Sequence, residues 1–201
     1  EIGCVCIPYP GEVVSGDALD AKLQESAGSL LIVDGLGHGV QAYAAAQEAV
    51  KSFRDHSFIS LSKMIENIHF ALKSTRGAAI ATAQIDPQAK LVRYAGLGNT
   101  VGIVFAPGGG QRRMVSHNGT AGVQAARIQE FDYPWEDGSV LVMHSDGLTT
   151  HWSLDKYPGL LGRHPALIAG VLYRDFNRGR DDSSVLVVSS ILQRSSWKGA
   201  A

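Results

Sequence analysis

Four acidic points in the chain lie where apolar runs begin or end: Asp17 in Gly16-Asp17, Asp34 in Asp34-Gly35, Asp146 in Asp146-Gly147, and the Asp181-Asp182 pair. Leu30-Leu31-Ile32-Val33 runs straight into Asp34, and Val140-Leu141-Val142-Met143-His144-Ser145 runs into Asp146. Turns favour Asp and Gly for local reasons, so any one of these acids signifies little. Four of them at strand ends make a set. Gathered at about 4 Å, each carboxylate pair repels by ~4 kcal/mol at an effective dielectric of about 20, and divalent cations remove that cost. All-oxygen ligation by carboxylates, a backbone carbonyl and water suits Mg²⁺ or Mn²⁺ rather than zinc or copper. Two such ions lower the pKa of a shared water and clamp the oxygens of an in-line displacement. A phosphate ester is the natural substrate of such a centre, and no protein nucleophile is required.

These acids need rigid elements behind them. The apolar run before Asp34 reads as a strand buried on both faces, and Gly35, Gly37 and Gly39 let the following backbone take positive φ and approach a ligand. Ile2 to Pro8 predicts a first strand stopped by prolines. A second runs through Ala18, Leu19, Ala21 and Leu23 to a turn at Ala27-Gly28. Ala42, Ala45, Ala46, Ala49, Val50 and Phe53 give Val40 to Phe53 the spacing of an amphipathic helix with a small face. Leu61, Ile65, Ile68 and Leu72 predict a second helix, capped by Ser60 or Ser57. The period then changes to strands at 78–85, 91–95 and 101–105, read as an antiparallel meander, with a hairpin tip at Pro107-Gly108-Gly109-Gly110 leading into 112–116. An edge segment at 128–135 precedes the strand that ends at Asp146. A third helix over 160–176, with Pro165 near its first turn, stops at Asn177-Arg178-Gly179. A buried strand at 185–188 follows the last acids.

The chain of 201 residues, 45% hydrophobic and 18% charged, has the composition of one globular domain, expected over 1–193 with a frayed, disordered tail at 194–201. A formal net charge of -1 argues against nucleic acid or an anionic membrane as partner. There is no apolar run of the ~20 residues a membrane span needs and no signal-peptide pattern, so a cytoplasmic protein is expected. Cys4 and Cys6, two apart on a strand, are expected to point to one face as reduced core thiols. The start at Glu1 is read as a hint of a longer protein with something upstream.

Gly16-Asp17, Asp34-Gly35-Leu36-Gly37-His38-Gly39, Gly98-Asn99, Ser145-Asp146-Gly147-Leu148 and Arg180-Asp181-Asp182-Ser183 follow one another in the order and approximate spacing of the bacterial metal-dependent serine/threonine phosphatases. Within those, the chain resembles the SpoIIE and RsbX branch of the PPM family over nearly its whole length. The resemblance implies a mixed α/β (α+β) fold, an α-β-β-α sandwich of two antiparallel sheets between helices, with two Mn²⁺ or Mg²⁺ ions at one edge. It also implies that Asp34 bridges both ions, with Asp17 and the Gly35 carbonyl on one side and Asp146 and Asp181 on the other. Asp182 then supports the ligands from behind. Two departures stand out. Asn99 replaces the Asp that helps hold a third metal in larger members, and the N-terminal phosphate-gripping arginine of eukaryotic relatives has no counterpart, although Arg76, Arg178 or Arg180 could supply positive charge. The implied substrates are phosphoserine or phosphothreonine on STAS-domain proteins of the stressosome, and such domains also occur behind ATPase-like domains in longer chains.

Histidine is a residue type suited to general acid work, so His38 is a candidate to protonate the leaving seryl oxygen, or it simply hydrogen-bonds the glycine loop, which is the favoured reading. His144 reads as a packed core histidine. Three rival functions fit the residues less well. A dinucleotide fold fits poorly, because Val40 stands where the fingerprint needs glycine and the later strands do not read as βαβ units. A serine hydrolase built on His144-Ser145-Asp146 lacks a Gly-x-Ser-x-Gly elbow. An inactive phosphatase fold used as a binding module finds no support, since all the expected acids are present.

Overall fold

A computed structural model of the protein describes residues 1–24, 27–125 and 128–190; the tail expected at 194–201 lies outside them. In chain order its strands are β1 (Ile2–Ile7), β2 (Asp17–Gln24), β3 (Ala27–Gly35), β4 (Ala78–Asp86), β5 (Leu91–Leu97), β6 (Val101–Phe105), β7 (Gln111–Arg113), β8 (Ser116–His117), β9 (Gly119–Thr120), β10 (Gln124–Ala125), β11 (Phe131–Pro134), β12 (Val140–His144) and β13 (Ser183–Ser189). The helices are α1 (Val40–Asp55), α2 (Leu61–Ala71) and α3 (Pro165–Phe176). One sheet runs β11-β5-β4-β3-β2, with β8 added parallel to β5; the other runs β1-β13-β12-β6-β7.

Alternation along the central strands divides the apolar residues among three cores. On β3, Leu31 and Val33 pack with Phe53, Leu61, Ile65 and Ile68 of α1 and α2, while Leu30 and Ile32 face Leu141, Met143 and Leu186 of the other sheet. Val142, Val185 and Val187 on the far side of that second sheet meet Ile168, Ala169 and Leu172 of α3. The result is four layers, α-β-β-α, as expected. Leu30, Leu31, Ile65 and Ile68 are all fully buried, and each such side chain contributes roughly 1.5–3 kcal/mol relative to exposure. Small residues set how closely the outer layers lie. Ala42, Ala45, Ala46 and Ala49 line the buried face of α1, and a Cβ on Gly3 of β1 would stand 2.0 Å from the Ala166 nitrogen of α3.

Several expectations need correction. The strands at 78–105 are not one meander: β4 and β5 pair, but β6 crosses to the second sheet between β12 and β7. All five residues of β6 are buried, which an inner strand satisfies, and Gly98 at φ 102° makes the turn that sends the chain across. Ala27 and Gly28 belong to β3 rather than to a turn. Ser57 does not cap α2; its hydroxyl donates to the Phe53 carbonyl and closes α1. The third helix begins at Pro165, after a separate 3₁₀ turn at Leu160–Gly162, because proline at the first helical position needs no amide partner. Cys4 and Cys6 do share a face of β1, yet both are exposed free thiols and not core residues. The strand that carries them is the outer one of its sheet, so that face lacks a full cover.

Candidate metal centre

Strand register places two of the acids side by side. Asp17 opens β2 and is the direct antiparallel partner of Asp34 near the end of β3. By the alternation that sends Leu30 and Ile32 between the sheets, Asp34 points there as well. From the facing sheet, β12 ends at His144 and β13 begins at Ser183, with His144 paired to Val185 and the Ser145 amide donating to the Ser184 carbonyl at 3.1 Å. Asp146 and the Asp181-Asp182 pair therefore leave that sheet at one end, opposite Asp17 and Asp34. The charges that act on each acid report the grouping: Asp34 feels Asp17, Asp146 and Asp181, and Asp17 feels Asp182 and Asp181.

The glycines beside the acids let main chains approach. A Cβ on Gly16 would fall 2.6 Å from the Ala42 Cβ and 2.8 Å from Asp182 Oδ2; on Gly35, 2.6 Å from the Ala42 carbonyl oxygen; on Gly147, 2.0 Å from the Asp182 carbonyl oxygen. The Gly35 amide donates to the Gly16 carbonyl at 3.1 Å, tying the first two acid-bearing segments together. Gly37 and Gly39 do take positive φ, at 80° and 75°. Gly35 does not, so its need for glycine is one of space, which corrects the expectation for that position.

Electrostatics at this rim is unfavourable to the bare protein. Burial, then the charges of Asp17, Asp146 and Asp181, push the Asp34 carboxyl up to about 8, with the Asp146 backbone amide opposing. Burial also raises Asp17 to about 7; the Ser145 and Ser184 hydroxyls oppose and the charges of Asp182 and Asp181 reinforce the rise. Asp181 is raised as well, by burial and then by Asp146. Asp17 Oδ2, Asp34 Oδ2 and Asp182 Oδ2 are buried without a hydrogen-bond partner. Such orphaned anionic oxygens are costly unless a cation meets them. Among the described residues no three Asp, Glu, His or Cys side chains form a finished chelate. The fit to hard divalent cations thus lies in donor type, convergence and unsatisfied oxygens.

Neighbours fix several of the acids. Asn99 donates from Nδ2 to Asp146 Oδ2 at 2.7 Å. Arg178 donates from Nη1 to the Asp146 carbonyl oxygen at 2.9 Å and lies 3.9 Å from Oδ2; an arginine in a turn gives no sequence signal for this. The Tyr9 amide donates to Asp182 Oδ1 at 2.8 Å, and the Asp182 amide donates to Asp181 Oδ1 at 3.0 Å. His38 neither caps α1 nor bonds the glycine loop. Its Nδ1 lies 2.7 Å from Glu12 Oε1, and its ring stacks on Tyr9 at 4.3 Å and 12°. Glu12 and Tyr9, 26 and 29 positions away from it in sequence, carry no motif that could have revealed them.

His144 is fully buried and held at both nitrogens, Nδ1 against the Ser145 carbonyl at 2.7 Å and Nε2 accepting from Trp152 Nε1 at 3.0 Å. Burial lowers its pKa to about 4, so it is neutral and donates from Nδ1. The Ser145 hydroxyl accepts from the Ser184 amide at 3.0 Å. A Ser-His pair is not formed, and the hydrolase alternative fails on geometry.

The family model for stage II sporulation protein E (SpoIIE) matches residues 25–190. No curated protein matches the chain in sequence. Among solved structures, one from work on the bacterial stressosome, described as a modular system adapted to control secondary messenger signalling, is similar at 25% identity and TM-score 0.86, covering 93% of this chain and 97% of its own. RsbX in complex with magnesium is similar at 20% identity and TM-score 0.78, covering 92% of each chain. The catalytic domain of the serine/threonine protein phosphatase PstP in complex with two manganese ions is similar at 14% identity and TM-score 0.71, covering 95% of this chain and 98% of its own. No helix among the described residues is long and apolar enough to cross a membrane.

Proposed function

The chain belongs to the stage II sporulation protein E family, and on that premise we propose that it is a phosphoprotein phosphatase that hydrolyses phosphoserine or phosphothreonine with two Mn²⁺ or Mg²⁺ ions. The observation that carries this reading is the group of orphaned, buried carboxylate oxygens on Asp17, Asp34 and Asp182, beside Asp146 and Asp181 at the same rim. Asp34 would be shared between the ions, with Asp17 and the Gly35 carbonyl on one side and Asp146 and Asp181 on the other. When bound, the cations supply an activated water and neutralise the phosphate oxygens of an in-line displacement. Asn99 and Arg178 hold Asp146 in place, and Tyr9 and Asp182 brace the opposite side. Glu12 occupies Nδ1 of His38 and leaves Nε2 free to pass a proton to the leaving seryl oxygen.

RsbX and the stressosome protein among the structural relatives support a regulatory substrate in bacterial stress signalling, which we take to be a STAS-domain protein in the cytoplasm. The experiment is turnover of an aryl phosphate with Mn²⁺, with chelator, and with the Asp146→Asn variant. Activity is expected only for the wild-type protein with metal; turnover that survives chelation or the substitution removes this mechanism.

A further inference from the structure

The glycine loop that follows Gly35 is flanked by apolar side chains left in solvent. Leu36 is 44% exposed, Val40 at the start of α1 is 73% exposed, and Val123 after β9 is 65% exposed. Leu36 and Val123 meet at Gly77, and Val40 opens α1 at the other end of the same loop. The Leu36 amide donates to the Gly77 carbonyl at 3.0 Å, and a Cβ on Gly77 would lie 3.1 Å from Val123 Cγ2. Arg76, next to Gly77, puts Nη1 3.1 Å from where a Cβ on Gly37 would stand, so its guanidinium covers the loop between Leu36 and Val40. It forms no ion pair with any described residue. Tyr43, one turn further along α1 and 39% exposed, extends the same face. Isolated apolar residues on a surface need no explanation, but a contiguous group around an unpaired cation does.

We propose that Leu36, Val40 and Val123, around Arg76, form a docking shoulder for the stretch of substrate polypeptide that flanks the phosphorylated residue, and that this stretch carries apolar side chains and an acidic group. The inference rests on the phosphatase reading of the neighbouring acids and deepens it. Two features select this occupant over others. The shoulder is continuous with the metal-binding loop, since Leu36 directly follows Gly35, so whatever lies on it is within a few residues of the reacting phosphate. Its unpaired cation is Arg76, while the Glu12 carboxylate beside Gly39 is engaged by His38, so the shoulder complements a segment carrying carboxylate rather than a basic one. An extended chain advances about 3.3 Å per residue, so side chains a few positions from the phosphoserine reach these residues while the phosphate stays at the acids. Small phosphate esters have nothing to place there.

The test uses three probes with Mn²⁺: an aryl phosphate, a short phosphoserine peptide with leucines flanking the phosphate and a glutamate beyond them, and the same peptide with serines in place of the leucines and glutamate. The wild-type protein is expected to prefer the leucine peptide. The exposed double substitution Val40→Ser with Val123→Ser should lower kcat/KM for that peptide by about tenfold, the loss expected when roughly 50 Å² of apolar contact is removed, and leave aryl phosphate turnover unchanged. Arg76→Gln should lower kcat/KM for the glutamate-bearing peptide by more than it lowers turnover of the aryl phosphate or of the serine peptide. Full aryl phosphate activity with unaltered peptide kinetics in these variants, or equal losses on all three probes, overturns the docking shoulder and leaves the phosphatase reading standing. A wild-type protein that turns over no aryl phosphate overturns both.

Discussion

Replacing Asp34 by Asn should make the metal-free protein more stable while it abolishes activity. Burial and three neighbouring carboxylates raise Asp34 from 3.8 to about 8, so between those values the folded state holds a proton that the unfolded chain has released. Stability therefore falls as pH rises through this window and is fully restored only below the unfolded value. At pH 7 the penalty from this one group is about 4 kcal/mol, at 1.36 kcal/mol per unit. Asp34 lies at a rim that water partly reaches, so we expect about 2–4 kcal/mol to be recovered by a neutral amide of the same shape, with some relief to Asp17 besides. For a chain of this length that corresponds to a rise in Tm of roughly 5–15 °C. The assay is thermal unfolding in chelator at pH 7 and at pH 4, then again at pH 7 with Mn²⁺. The wild-type protein should gain stability from Mn²⁺ by mass action, and Asp34→Asn should gain far less. An Asp34→Asn protein that melts no higher than wild type in chelator at pH 7, or that gains as much from Mn²⁺, would refute the claim that this carboxylate is held under strain for a cation.

Two further outcomes follow from contacts around the acids. Asn99→Ala removes the amide that donates to Asp146 Oδ2 at 2.7 Å; loss of such a supporting bond should weaken Mn²⁺ affinity by about 10- to 100-fold, measurable as the Mn²⁺ dependence of kcat/KM, with little change in Tm in chelator. Gly147→Ala puts a Cβ 2.0 Å from the Asp182 carbonyl oxygen; it should destabilise the fold by about 1–3 kcal/mol or more and separate Asp146 from Asp182, so denaturant unfolding should show a lower midpoint and activity should fall with it.

The individual elements and the acid set were legible in the residues because both rest on local signals, whereas the four-layer arrangement was implied only by the family resemblance. Leu30-Leu31-Ile32-Val33-Asp34 and Val140 to Asp146 announce buried strands that end in carboxylates, and the alanine face of α1 announces a helix packed close to a sheet. What the chain's order concealed is everything that depends on which sheet a strand joins. β6 looks like the third strand of a meander and instead lies in the other sheet, because its apolar run is buried equally well in either. Cys4 and Cys6 look like core residues and are exposed, because β1 lies at an edge. Tyr9, Glu12, Arg178 and Arg76 acquire their positions from turns whose composition is ordinary for a surface. The sequence by itself determined the elements and the kinds of donor at their ends. Only the packing of one sheet on the other decided that Asp17 and Asp34 would face Asp146, Asp181 and Asp182, since side-chain alternation is written locally but the distance between two sheets is a property of all the side chains that fill the space between them.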